Sequence, residues 1–150
     1  MTDDAAVLVQ RIADGIESIE LTIQDLRDLQ SLSQQEYRSP DNRRTREAVE
    51  RKFETLIAAT LDVSKAILKL EDRPIPNHRK AVIRELDFLD ILDGNLADRL
   101  TEAVAFRDVL AHSYGPIIND EMVYDAMQHS LDRYVDFVAA VDEYLPKKLE

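Results

Sequence analysis

Four residues in the second half of the chain have types and spacing that suit polar chemistry. They are Arg107, Asp108, His112 and Tyr114, in the string FRDVLAHSY from Phe106 to Tyr114. A guanidinium holds its charge at any ordinary pH and presents a planar fork of donors that suits phosphate or carboxylate oxygens. An imidazole titrates near neutrality and can give or take a proton. A tyrosine offers a hydroxyl and a flat ring, and the carboxylate of Asp108 stands next to the arginine as a supporting group.

The helix that must carry these residues, about Leu96 to Tyr114, places Arg107 oddly. At 100° per residue Leu96, Leu100, Ala103, Val104, Leu110, Ala111 and Tyr114 all fall within about 60° of Arg107, so the arginine sits in the middle of the apolar stripe. A buried, unpaired guanidinium costs several kcal/mol, so a partner or ligand is expected there. Asp87, Asp90 and Asp108 are the candidate carboxylates for a plain structural ion pair. Ala105, Phe106 and Val109 lie on the opposite side, which makes the segment apolar almost all round and points to a central helix or an interface between copies. His112 lies about 140° from Arg107 on the same wheel. Either the helix unwinds before Gly115 or a second copy supplies the other half of the pair.

The elements around this helix read as all-α, an up-and-down bundle of four to five helices in a single domain over residues 1–150. The first helix starts near Thr2 or Asp3 and carries Val7, Ile12, Ile16, Ile19, Ile23, Leu26 and Leu29 on one face. Ser33 with Glu36 forms a capping-box pattern, and Ser39-Pro40 a cap followed by a first-turn proline. A second long helix runs from about Asp41 to Leu70 with Val49, Phe53, Leu56, Ile57, Thr60, Val63, Ile67 and Leu70 inward, antiparallel to the first. Arg73-Pro74-Ile75-Pro76-Asn77 is a loop, because two prolines so close cannot occupy a helix interior. A third helix, about His78 to Leu92, ends at Asp93-Gly94; the fourth stops at Gly115-Pro116; the fifth runs from a cap at Asn119 or Asp120 to about Leu145 before Pro146.

Composition narrows the function. The 150 residues hold 19 Lys+Arg and 30 Asp+Glu, a net charge of −11 that repels phosphate backbones except at a local basic site. There is no Cys, which removes disulfides, thiolate metal sites and cysteine nucleophiles, and His78, His112 and His129 have no ligand spacing, so no metal or other cofactor is assigned. No apolar run approaches membrane-spanning length and the N-terminus shows no export pattern, so a cytoplasmic protein is expected. The one locally basic stretch, Arg38 to Lys52, holds Arg38, Arg43, Arg44, Arg46, Arg51 and Lys52 against three acids. Its functional reading is an RNA-guiding or partner-docking rim built from Arg43, Arg44, Arg46 and Arg51; its plain reading is a solvated face complementing acids on the first helix.

The pattern R-x4-H-x-Y from Arg107 to Tyr114 closely resembles the signature of the HepT-like toxins, a branch of the HEPN superfamily. The resemblance extends through an acidic first helix, a second helix containing AVERKFETLIAATLDVSKAI from Ala48, a proline-bearing loop and a final acidic helix ending near Tyr144. It implies a helical bundle that pairs with itself, as a homodimer or a higher oligomer, and a metal-independent endoribonuclease toxin of a type II-like pair. Arg107 and His112 from two subunits would form a composite cleft. It also implies neutralisation by a minimal nucleotidyltransferase antitoxin that transfers AMP to Tyr114. The family often has Asn after the motif arginine, whereas this chain has Asp108.

That chemistry is physically coherent. RNA carries its own nucleophile, the 2′-hydroxyl, so the protein needs only to remove its proton, protonate the leaving 5′-oxygen and stabilise the charge on phosphorus. His112 supplies acid or base, Arg107 meets the phosphate, and Tyr114 positions a phosphate or stacks on a base. AMP on Tyr114 would fill the cleft with bulk and negative charge. The alternative is a non-catalytic helical module, associated with a nucleotidyltransferase, that binds a nucleotide or partner and uses Arg107 only to hold a phosphate. A purely structural dimer is the third reading.

Overall fold

The computed structural model describes residues 3–111 and 116–150. Two long helices form its spine: α1, Asp3–Asp28, and α3, Arg43–Leu70. They lie side by side because each presents an apolar stripe with helical spacing. Ile12, Ile16, Ile19, Ile23 and Leu26 of α1 are buried, as are Val49, Phe53, Leu56, Ile57, Val63 and Ile67 of α3. Gly15 permits the close approach, since a methyl group there would collide with Cγ2 of Val63. Thr60 and Ser64 are buried on the same stripe and donate their hydroxyls to the carbonyls of Leu56 (2.8 Å) and Thr60 (2.7 Å), one turn back. Val7, expected inward, is 52% exposed, because at 100° per residue it lies about 140° from Ile12 and off the stripe, whose place in that turn is taken by Leu8, partly buried against the core.

Between the spine helices the chain forms α2, Gln34–Arg38, and a 3-10 turn, Pro40–Asn42. Both expected caps form: the Ser33 and Glu36 side chains exchange hydrogen bonds with each other's backbone amides at 3.1 and 3.0 Å, and Ser39 Oγ accepts from Asp41 N. The loop 73–78 leads to α4, Arg79–Phe88, which is shorter than the expected helix to Leu92. Its end is a Schellman closure, with Ile91 N donating to Leu86 O at 3.0 Å and Asp90 at φ 58°. The end of α3 closes the same way: Arg73 N donates to Leu68 O at 2.9 Å and Asp72 has φ 55°. In both places an aspartate occupies the left-handed position that glycine usually takes, so the glycine signal for a helix stop is missing from the sequence.

Asp93 and Gly94, read as the end of one helix, open the next. Asp93 Oδ1 accepts from Leu96 N at 2.7 Å and starts α5, Gly94–Ala111. The single last helix expected from Asn119 to Leu145 is two helices, α6, Pro116–His129, and α7, Asp132–Leu149. They break at Ser130 and Leu131, where no glycine or proline marks the change, and α7 continues through Pro146 rather than stopping before it. That proline lies in the last turns, where its missing amide leaves only the carbonyl of exposed Asp142 to water, and Lys147 and Lys148 hold the helix end to Glu143 (3.1 Å) and Glu71 (3.0 Å).

The architecture is therefore all-α with seven helices among the described residues, and one connected apolar core runs from Ile12 on α1 to Val141 on α7. α7 packs on α1 and α5, α4 on α3 and α5, and α2 on α3 and α6. α6 is fixed at both ends and its middle. Arg46 and Arg38 of the preceding elements reach Asp120 (3.8 Å) and Glu121 (3.7 Å) at its start. Tyr124 donates its hydroxyl to Leu32 O at 2.7 Å, and Gln30 donates to Met127 O at 2.9 Å. None of the helices among the described residues is long and apolar enough to cross a membrane.

Candidate active site at the end of α5

The last turns of α5 carry Phe106, Arg107, Asp108, Val109, Leu110 and Ala111. Leu96, Leu100 and Ala103, which share the wheel line of Arg107, are buried as expected, but Arg107 itself is exposed. The expectation of a buried guanidinium is thus corrected: α5 runs beyond the helices that cover its first turns, and the same stripe emerges into solvent at its C-terminal end. The guanidinium makes no hydrogen bond or ion pair with the described residues. Asp87 faces Arg84 at 4.0 Å, Arg84 also holds Asp98 at 2.7 Å, and Asp90 sits in the left-handed turn after α4. Asp108 is exposed beside Arg107. His112 and Tyr114 lie outside the described residues.

The end of α5 is anchored from the opposite side. The Phe106 ring meets the fully buried Phe53 ring of α3 edge-on, centroids 5.5 Å apart at 76°. Val109 and Leu110 are half-buried. A cavity of about 390 Å³ lies beside Phe106 and Val109, between α5 and α6, with the partly exposed Met122 on its rim. The apolar surface around α5 is therefore incompletely covered by the described residues.

One to two turns back along α3 from Phe53 lies a polar junction, Glu50 and Arg46, that meets the first turns of α6. Arg46 donates through Nη1 to the carbonyls of Tyr37 (2.8 Å) and Ser39 (2.6 Å), and its Nε faces Asp120 on the first turns of α6. Glu50 is half-buried beside this pair. Burial raises its pKa above the ordinary glutamate range, and the carboxylates of Asp120, Glu54 and Glu47 raise it further against the opposing guanidinium of Arg46. The Tyr37 hydroxyl is buried without a hydrogen-bond partner among the described residues, its ring 5.4 Å from that of Tyr124. Burial, then the charges of Asp120 and Glu50, push its pKa up.

Most cations of the expected basic rim and its stretch have acidic partners in the structure. Arg46 is a structural clip, its side chain only 17% exposed, and Arg43 is paired with Glu47 at 3.2 Å. Arg38 and Lys52 also face acids, Glu121 and Asp25. Arg44 and Arg51 remain exposed without an ion pair among the described residues. Four of the six cations of the basic stretch thus face acids, two on α6, one on α1 and one on α3 itself. Glu50 was missed from the sequence; its signal was a carboxylate inside the apolar stripe of α3, between Val49 and Phe53. No group of three or more His, Asp or Glu among the described residues is arranged to hold a metal ion.

Fold and site together define the class as an all-α helical bundle with an exposed arginine at the end of its motif helix. The family model for HepT-like ribonucleases matches residues 19–141, and the chain belongs to that family. No curated protein shows a significant sequence match. Among solved structures, a chain of an MntA–HpeT toxin–antitoxin mutant complex superposes with a TM-score of 0.79 at 19% identity, covering 89% of this chain and 98% of the other. A toxin–antitoxin complex with AMP-PNP gives 0.77 at 18% identity over the same shares. The tri-AMPylated Shewanella oneidensis HEPN toxin in complex with an MNT antitoxin gives 0.64 at 19% identity, covering 95% and 99%.

Proposed function

We propose that this chain is the toxin of a type II-like toxin–antitoxin pair, a metal-independent endoribonuclease whose cleft forms between two copies. One observation carries the reading: the motif arginine, Arg107, stands open and unpartnered among the described residues on a helix whose apolar flank is incompletely covered. A second copy packed on that flank would cover the apolar surface. It would also bring a second Arg107 and His112 to one phosphate, which the wheel angle denies to a single straight helix.

In the cleft the RNA 2′-oxygen attacks the adjacent phosphorus as one His112 takes its proton. The bond from phosphorus to the 5′-oxygen breaks, and the second His112 protonates that oxygen, leaving a 2′,3′-cyclic phosphate and a 5′-hydroxyl. Arg107 stabilises the charge that builds on the phosphoryl oxygens, with Asp108 as a supporting group. Control comes from a minimal nucleotidyltransferase antitoxin that transfers AMP from ATP to the Tyr114 phenol with release of pyrophosphate. The likeness to the AMP-PNP complex and to the tri-AMPylated toxin supports this partner.

The test is cleavage of RNA in EDTA by the purified chain, by R107A and by H112A, each shown to keep its secondary structure. The expected result is a loss of at least about a hundredfold in rate for either variant, the usual scale for removing an acid–base or charge-stabilising group. Intact mass after co-expression with the antitoxin should show added AMP, absent in Y114F. Cleavage retained by R107A and H112A would overturn the site. An unmodified chain that binds nucleotide but never cuts RNA would leave the phosphate-holding module as the function.

A further inference from the structure

The cations of the basic stretch that do not pair point to a second surface. Along α3, Arg44, Arg51, Thr55, Ala58, Asp62, Lys65 and Lys69 fall within about 60° of one line, on the side of the helix opposite Phe53. All are exposed except the half-buried Lys65. Arg44, Arg51, Lys65 and Lys69 have no ion pair among the described residues. Three acids fall within the same limit, Glu47, Glu54 and Asp62, and Glu47 is already held by Arg43. The line spans about 37 Å from Arg44 to Lys69 at 1.5 Å per residue.

Its second half opens into a groove of about 660 Å³ between α3 and α1. Arg11 reaches it from α1, also without an ion pair, and Ser18 and Thr55 add hydroxyls. Asp14 and Asp62 are the acids of the groove, and Asp14 accepts from the Gln10 side-chain amide at 2.8 Å. The small residues Gly15, Ala58, Ala59 and Ala66 set its floor at backbone level, and Ile75 is its sole large apolar side chain.

We propose that this outer face of α3, with Arg11, is a track for the phosphate backbone of an RNA strand, separate from the motif at the end of α5. The inference rests on the ribonuclease reading for the identity of its ligand. Charge favours an anion: a row of unpaired cations on a chain of net charge −11 is a local attractive path on a repelling surface. Groove composition favours nucleic acid over protein, because protein interfaces are commonly anchored by tryptophan and tyrosine, and this groove has no aromatic side chain. Long flexible cations above a shallow floor of small residues suit a sugar–phosphate strand whose bases face outward. The track would hold substrate RNA on the enzyme irrespective of sequence, leaving choice of the cut to the cleft.

The test is binding of a fluorescent single-stranded RNA to full-length H112A, so that cleavage plays no part, compared with H112A carrying R11Q, K65Q and K69Q. The expected result is affinity at least tenfold lower in the quadruple variant at low salt. The slope of log affinity against log salt should also be about two smaller, as three lost phosphate contacts require at about 0.7 each for single strands. Equal affinity and slope in a variant with the same circular dichroism and Tm would overturn the track. RNA binding that depends on these residues in a chain that never cuts RNA would leave the track standing and the ribonuclease reading rejected. Loss of antitoxin co-purification with unchanged RNA binding would overturn the track in favour of a protein interface.

Discussion

At the residue scale the junction of Arg46, Glu50 and Asp120 shows how polar groups inside a helical bundle are held at a cost. Glu50 shares the stripe of α3 that buries Val49 and Phe53, and it faces more negative than positive charge. Its folded pKa lies above the unfolded one, so ionisation is a liability in the folded state. That liability is fully present above the raised pKa and is relieved as pH falls through it toward the ordinary value near 4.5. E50Q should therefore raise the Tm at pH 7.5, and its advantage should shrink to nothing by about pH 4.5. Thermal melts across that range check it; a lower Tm for E50Q at pH 7.5 would mean that the carboxylate is needed by Arg46. The place of Arg107 near the end of α5 was legible in the sequence, but its exposure was not. The wheel gives the direction in which a side chain points and says nothing about where the covering helices end.

At the scale of elements, regularity was easier to read than interruption. The long apolar stripes of α1 and α3, both caps at Ser33 and Ser39, and the loop carrying Pro74 and Pro76 all stand where spacing and residue type put them. The stops at Asp72 and Asp90 were hidden because each uses aspartate in a left-handed turn. The break between α6 and α7 has only Ser130 and Asp132 as polar markers of a new first turn. These aspartates lead to a prediction. D72G and D90G should each stabilise the fold by about 0.5–1 kcal/mol, since glycine takes positive φ freely and loses part of that gain through a more flexible unfolded chain. Denaturant melts measure this directly, and destabilisation would show that the carboxylates hold contacts worth more than the backbone strain.

At the scale of the whole molecule the balance of charge and apolar surface sets behaviour in solution. The chain carries a net −11, and the half-buried Phe106 and Val109 with the exposed Met122 line the cavity where α5 and α6 meet. Light scattering at micromolar concentration should give twice the 17.2 kDa chain mass. V109E, which puts a charge into the cavity beside Phe106, should return it to one. A wild-type monomer under those conditions would remove the composite cleft. The edge contact between Phe53 and Phe106 has one more use. The chain has no tryptophan, so F106W would give the protein a single indole, wedged against α3 and next in sequence to Arg107. Its emission would be an optical reporter for whatever arrives at that helix end, readable in real time and without a label on the RNA.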